Sequence, residues 1–510
     1  MFQQIKRLGS ETAIYGISTI LGRFLNFLLV PFYTNVLAPG DYGIVAYVYS
    51  LIAFVNVIYS YGMESAYFKY SSTLEIGTAK QNFSTPFISL FGTSVLFSIV
   101  LVFLSSPIAR MINVPIDYES ILLYTVGILA FDSIAIIPFA ALRMEHKAKL
   151  FATIKFLNIV INVGMNLVLL LVFRMGVIGV FISGLTASVL TVVTLLPMIF
   201  RYLTKEFNIP LWNALMKFGL PYIPSGIAAM AIQVIDRPIL RALTDDATVG
   251  IYQANYRLGI FMMLIVSMYD YAWRPFYFST AKEANAKEIF ARVLTYLVLF
   301  MSAIFLVLTF FIGDIAKLSI FGRHIIGSSY WSGLNIVPIV LLGYVFLGIS
   351  TNLSAGIYIE KKTKYSPLVT GVGAVVNVAA NFLLIPPFGM LGAAWATFLA
   401  YFIMTVMMYF VVQRIYPVSY EFSRLLKVAG SAAVVIALYY FIPVEKLYDS
   451  IRIVFLWKIF LIVLFLMLMY VMKFFKGSEL SVLRRLAKPK SSTESFRGGN
   501  SLDDNQPLSG

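Results

Sequence analysis

The chain has 510 residues, 60% of them hydrophobic and 12% charged, where a soluble globular protein carries about 25% charged residues. That composition excludes a water-soluble enzyme or a nucleic-acid-binding domain, because a chain this apolar needs lipid as its main solvent. With no Cys and two His it offers no disulfide scaffold, no Cys/His zinc site and no thiol nucleophile. The net charge of +15 therefore bears on membrane orientation.

Apolar runs of about 20 residues, enough to cross roughly 30 Å of hydrocarbon, follow one another along the chain. They cover Thr12–Phe32, Tyr42–Tyr61, Phe83–Leu104, Ser120–Leu142, Phe151–Phe173, Val177–Ile199 and Leu215–Ile235. The second half continues with Val249–Tyr269, Ile289–Ile312, Leu334–Tyr358, Pro367–Ile385, Leu391–Val412, Leu425–Ile442 and Val454–Met472. The expectation is an all-α integral membrane protein with about 14 transmembrane helices. The first run is too long for a cleaved leader and holds Arg23.

Charge in the connections sets the orientation. Taken alternately from the N-terminus, one set of connections and the tail hold 28 of the 39 Lys and Arg residues, and the other set holds nine. Positive charge marks the cytoplasmic side, which places both termini inside. The connections leave no room for an extramembrane domain. The tail after Leu486, rich in Ser, Gly, Lys, Asn and Asp, has the composition of a disordered segment.

The chain also repeats itself. A shift of 207 aligns Asn26 with Gln233, Pro31 with Pro238 and Gly43 with Gly250. A shift of 215 aligns Glu145, Lys147 and Lys149 with Glu360, Lys362 and Lys364, and Asn162/Asn166 with Asn377/Asn381. Gly176-x-x-Gly179 answers Gly389-x-x-Gly392. Six spans separate the copies, so the repeats run parallel, related by an axis along the membrane normal, as in one class of transporters. The expected organisation is an N-lobe over 1–205, a C-lobe over 206–415, a further helix pair over 416–476 and a cytoplasmic tail over 477–510.

Three segments carry a family resemblance. Gly22-Arg23, Pro31-Phe32 and Leu37-Ala38-Pro39-Gly40-Asp41-Tyr42-Gly43 resemble the start of Wzx-type polysaccharide flippases. Phe388-Gly389-Met390-Leu391-Gly392-Ala393-Ala394-Trp395-Ala396-Thr397 is similar to their late glycine-alanine segment, and Glu360-Lys361-Lys362-Thr363-Lys364 to their basic inside loop. These proteins belong to the multidrug/oligosaccharidyl-lipid/polysaccharide exporter superfamily. The resemblance implies two six-helix lobes plus an extra pair in a bacterial cytoplasmic membrane. It also implies alternating access for an undecaprenyl-diphosphate-linked oligosaccharide, in lipopolysaccharide or O-antigen synthesis, alongside membrane lipids and glycan polymerase or ligase components.

Polar residues inside the spans locate a site. In the first span Thr12, Tyr15, Thr19, Arg23, Asn26 and Tyr33 share one helical face. Arg near the bilayer centre costs at least ~2.5–3.5 kcal/mol, so this face must meet water or the bundle interior. The seventh and eighth spans add Ser225, Gln233, Asp236, Arg237, Gln253 and Arg257. Together they predict a hydrated, cationic cavity between the lobes. Arg23 and Arg257 are candidates to hold a diphosphate, with Asn26, Gln233 and Gln253 beside them, because a guanidinium presents a fixed fork of donors to phosphate oxygens. The alternative for Arg23 is an internal ion pair with Asp132. The lipid II flippase branch further implies a sodium site at the positions matching Asp236, Asn377, Asn381 and Thr397, although Asn381 stands where that branch has an acid. Asp236 has Arg237 and Arg241 as alternative partners, and coupling to sodium or protons stays open; no other cofactor is expected.

Two further classes compete with this reading. A membrane polymerase, ligase or glycosyltransferase needs an acid/base or metal-binding constellation. Here the paired acids are Asp245-Asp246 in a short loop and Asp503-Asp504 in the tail, and no such constellation forms. A drug/cation antiporter of the same superfamily would offer acids to its cation, whereas this cavity is led by arginines.

Overall fold

The structure is a computed structural model that describes residues 20, 22, 24, 25, 27–320, 322–447 and 450–476. Those residues divide into two compact units at Glu421/Phe422. The tail from 477 onward lies outside the described residues, as does most of the first expected span. What is described of that span forms helix α1 (Phe27–Val36).

The first unit continues with α2 (Pro39–Ser60), α3 (Met63–Thr73), α4 (Ala79–Phe103), α5 (Ser105–Met111), α6 (Ile121–Met144), α7 (Ala148–Leu167) and α8 (Gly176–Tyr202). Then come α9 (Ile209–Gly219), α10 (Tyr222–Val234), α11 (Asp236–Leu243), α12 (Asp246–Tyr256), α13 (Ile260–Thr280) and α14 (Ala286–Lys317). A short antiparallel hairpin, β1 (Ser319–Ile320) and β2 (Arg323–His324), pairs Ser319 with His324. It precedes α15 (Val337–Leu353), α16 (Ala355–Ile359), α17 (Tyr365–Phe388) and α18 (Met390–Ile415). In the second unit α19 (Phe422–Phe441), α20 (Val444–Leu447) and α21 (Ile451–Val471) follow, with α19 packed on α21.

Among the described residues twelve helices, some continuous across a short break, are long and apolar enough to span a membrane, and the pair α9–α10, bent by 41°, makes a thirteenth when counted as one span. The second to fourteenth expected runs each find a helix, and the first lies mostly outside the described residues. Large apolar side chains such as Phe103, Leu383 and Phe441 lie exposed on these helices, as expected of surfaces that face acyl chains. Local chemistry marks several starts. Thr78 and Gln81 form a reciprocal capping box on α4, Asn208 caps α9, and Asp245 accepts from the Thr248 N–H at the head of α12.

The sequence repeat reappears as repeated geometry. His146 and Lys361, 215 apart, both adopt positive φ (57° and 55°), as do Gly176 and Gly389 (53° and 55°). Asn166 Nδ2 donates to the Asn162 carbonyl at 2.8 Å and its Oδ1 at 2.6 Å. Asn381 does the same to Asn377 at 2.8 and 2.9 Å. The repeat-related Gly43 and Gly250 meet where α2 crosses α12: a Cβ on Gly43 would strike the Asp246 carbonyl, and one on Gly250 the Pro39 carbonyl. Only glycine permits that backbone approach.

Helices α2, α4, α6, α7 and α8 pack as one group, and α10 with α12–α18 as another. At their less basic end the groups are clasped together. Arg241 pairs with Asp246 at 2.5 Å and donates to the Ile112 and Asn113 carbonyls at 2.6 and 2.8 Å. Asn35 donates to the His324 carbonyl at 2.8 Å, the Gly327 N–H donates to Thr34 Oγ1, and the Tyr330 hydroxyl donates to the Leu37 carbonyl at 2.9 Å. At the basic end Gly62, at φ +69°, lies against the Gly219 backbone.

Candidate functional site

Two helix interruptions build the cavity of the second group. The seventh span breaks at Ile235, so a new helix begins at Asp236. The eighth span breaks into one 3-10 turn over Arg257–Gly259. There Gly259 lets the backbone close on α15, where a Cβ would meet Val340 and Tyr344. The tighter turn presents Arg257 to an open cavity of about 380 Å³, shared with Gln233, Arg237, Tyr256, Tyr344 and Tyr401. Arg257 is exposed although it lies in an apolar span, and among the described residues it forms no ion pair. It lies within electrostatic range of Tyr33, Tyr42 and Tyr344.

Arg237, by contrast, is 4% exposed and fully engaged. Its Nη1 pairs with Asp236 Oδ1 at 2.5 Å and donates to the Gln233 carbonyl at 2.6 Å, and its Nε donates to Gln253 Oε1 at 3.0 Å. The guanidinium also lies 4.3 Å from the Tyr256 ring centroid. Asp236 Oδ1 accepts the Arg237 N–H as well, and Oδ2 accepts the Tyr252 hydroxyl at 2.5 Å. Of the two partners the sequence offered for Asp236, the structure selects Arg237, while Arg241 turns to Asp246. Gln253 is therefore a buried brace for Arg237, and the Gln233 side chain is exposed at the cavity.

The residues matched to a sodium site lie on α11, α17 and α18. Asn377 and Asn381 are fully buried, and Thr397 donates to the Ala393 carbonyl at 3.2 Å. Asn381 Oδ1 is a buried acceptor without a donor, but Asn377 Nδ2 is a buried donor without an acceptor. The one carboxylate of the set already has a guanidinium and a hydroxyl on its two oxygens. These donors do not fit a sodium ion: the positive charge that Asp236 requires is supplied by Arg237.

A second cavity, of about 460 Å³, lies within the first group of helices. Asp132 Oδ1 accepts the Ser188 hydroxyl at 2.7 Å. Lys155 Nζ lies 4.2 Å from the Phe139 ring centroid, within electrostatic range of Asp132. Asn158 donates to Thr191 Oγ1 and to the Ala187 carbonyl at 2.8 and 3.1 Å. Toward the basic end Glu64 and Arg143 form an ion pair. Arg23 and Asn26 lie outside the described residues. The sequence alone did not single out the tyrosines Tyr252, Tyr256, Tyr344 and Tyr401. Their signal, the Tyr252/Tyr256 spacing of four beside Gln253, is lost among 31 Tyr and 43 Phe.

Comparison with known proteins agrees with this architecture. A family model described as polysaccharide biosynthesis protein matches residues 8–281. The lipid II flippase MurJ, in an inward closed conformation, superposes with a TM-score of 0.73 at 17% identity, over 93% of this chain and 100% of that one. An inward-facing multidrug resistance transporter of the MATE family, from the MOP superfamily, superposes at 0.60 with 12% identity, over 77% and 94%. The Vibrio cholerae MATE transporter VcmN in its bent form does so at 0.53 with 13% identity, over 80% and 97%. A search of curated protein sequences found no match. The chain belongs to the polysaccharide biosynthesis protein family and has the exporter-superfamily fold of MurJ and the MATE transporters.

Proposed function

We propose that this family member is a flippase that carries an undecaprenyl-diphosphate-linked oligosaccharide across the bacterial cytoplasmic membrane by alternating access, with both termini cytoplasmic. The observation that carries the reading is Arg257: an exposed guanidinium in an apolar span, open to a cavity and without a carboxylate partner among the described residues. A diphosphate cannot cross about 30 Å of hydrocarbon unaided, so the path must supply counter-charge along a wet route. Arg257 would hold the diphosphate through its donor fork, Gln233 would add a neutral donor, and Arg23 of the first span would approach from the other lobe. Rocking of one lobe against the other would expose this site alternately, while the polyprenyl chain stays in the bilayer. The clasp at the less basic end supports a state closed to the outside. The sign of the cavity disfavours export of cationic drugs.

The test is flipping of undecaprenyl-diphosphate-linked glycan in proteoliposomes. Arg257→Ala is expected to abolish transport, and Arg257→Lys to retain part of it, since Lys keeps the charge but loses the fork. Full activity of Arg257→Ala at matched protein abundance would refute the reading.

A further inference from the structure

The cavity among α2, α6, α7 and α8 differs from the arginine cavity in the chemistry it offers. Its charged lining is balanced, with Glu64 and Asp132 against Arg143 and Lys155. Its other polar lining consists of amides and hydroxyls, including Asn56, Asn158, Ser188 and Thr191. Several acceptors there are uncommitted. Asn56 Oδ1 is buried without a donor. Asp132 receives Ser188 on Oδ1 alone, and Asn158 uses its Nδ2, leaving its Oδ1 open. Leaving a buried acceptor such as Asn56 Oδ1 unmade costs about 1–3 kcal/mol, and with the accessible Asp132 and Asn158 oxygens beside it the set favours a ligand rich in hydroxyl donors. Tyr49, stacked on Phe181 with centroids 5.2 Å apart, adds an aromatic face. An anion would meet two carboxylates here, and a cation would meet Lys155 and Arg143. The volume of about 460 Å³ falls within the ~300–1,000 Å³ range of small-molecule sites.

The two cavities are linked through one side chain. Tyr33, whose hydroxyl donates to Asn166 Oδ1 at 2.9 Å, lies within electrostatic range of both Tyr49 and Arg257. A headgroup with its diphosphate on Arg257 would have to pass Tyr33 to bring its next units into the neutral cavity. We propose that the cavity lined by Asp132, Asn158 and Asn56 is the sugar subsite, binding the neutral, hydroxyl-rich glycan of the lipid-linked substrate. The proposal rests on the flippase reading and adds to it a division of labour: charge is recognised in one lobe and hydroxyl pattern in the other. Asp132 accepts from sugar hydroxyls, and Ser188 fixes its orientation.

Binding by purified full-length protein separates the two claims. The probes are undecaprenyl diphosphate and the same lipid carrying a disaccharide of N-acetylglucosamine, titrated by native mass spectrometry. Wild-type protein is expected to bind the glycosylated probe about tenfold more tightly, the gain expected of one hydrogen bond to a charged acceptor. Asp132→Asn and Asn158→Leu should each erase most of that difference and leave affinity for the bare diphosphate lipid unchanged. If the two variants weaken both probes equally, or leave the difference intact, the subsite is overturned. An undiminished affinity of Arg257→Ala for the bare lipid would instead overturn the diphosphate site. Asp132→Asn preserves shape and the Ser188 contact, so it keeps the test informative even where Asn158→Leu yields little folded protein.

Discussion

The two cavities occupy corresponding lobes of a repeated fold, yet they treat their carboxylates in opposite ways. In one, Asp236 is 1% exposed and held by Arg237 and Tyr252. In the other, Asp132 faces the cavity with one oxygen held by Ser188 and its neighbouring cation, Lys155, resting against a ring. The first acid is consumed in positioning an arginine; the second stays available. A repeat transmits backbone geometry, such as the paired positive-φ turns and the Asn–Asn contacts, while the side chains inside it diverge in role.

The largest expected effect breaks this comparison at its strongest point. Asp236→Asn strands a buried guanidinium, which costs ~3–5 kcal/mol, so folded protein in membranes should fall sharply. Asp132→Asn should leave abundance unchanged. The double change Asp236→Leu/Arg237→Met removes both charges and should recover folded protein, measured by fluorescence-detection size exclusion. Replacing sodium by choline should leave wild-type transport unchanged. Sodium dependence would mean that Arg237 vacates Asp236 during the cycle.

A smaller effect concerns the glycine crossing that joins the lobes. Gly43→Ala puts a Cβ onto the Asp246 carbonyl, and backbone facing backbone cannot move aside. The two helices must separate at that end. Because the chain has no Cys, Ser50→Cys, on α2 and 3% exposed, gives a clean reporter. Its maleimide labelling should quicken severalfold in the Gly43→Ala background. Unaltered labelling would show that the seal lies elsewhere, in the Arg241 and Tyr330 contacts.

Much of this architecture can be read from the residues before any coordinates. Hydrocarbon thickness dictates the span length, so the thirteen expected runs that fall on described residues each found a helix. Repeated turns and glycines survived as a detectable register because they are backbone requirements. The cost of Arg in lipid marked the first span's face, whose Arg23 lies outside the described residues, and Arg257 of the eighth span was named beside it. What escaped was set by breaks. The residues offered both Arg237 and Arg241 to Asp236 but not the choice between them. Neighbouring residues on a helix do not normally face one another, and a helix restarting at Asp236 lets Arg237 pair with it. Similarly, the 3-10 turn at Arg257 goes with Gly259 packing against Val340 and Tyr344 of α15, 81 and 85 residues further along the chain. The neutral cavity escaped because Asn158 and Asn162 look alike in sequence whether they bind each other, a ligand or a neighbouring helix.

The smallest effect separates two contacts that are nearly identical locally. The Asn162/Asn166 and Asn377/Asn381 pairs share one hydrogen-bond pattern. Only the first has an outside customer: the Tyr33 hydroxyl donates to Asn166 Oδ1. The second instead leaves Asn377 Nδ2 and Asn381 Oδ1 buried without partners. Each pair lies within a single helix, so replacing both of its members by Leu removes donor and acceptor together and costs little by itself. The asymmetry then decides the sign. Asn162→Leu/Asn166→Leu strands the buried Tyr33 hydroxyl and should destabilise by about 1 kcal/mol. Asn377→Leu/Asn381→Leu deletes two unsatisfied groups and should be neutral or stabilising, if the larger side chains are accommodated. Adding Tyr33→Phe should relieve the first defect and leave the second variant unmoved. Thermal unfolding followed by tryptophan fluorescence in detergent reads all three. Equal destabilisation by both Leu pairs, with no relief from Tyr33→Phe, would mean that Tyr33 does not depend on Asn166, and with it would go the link between the two cavities.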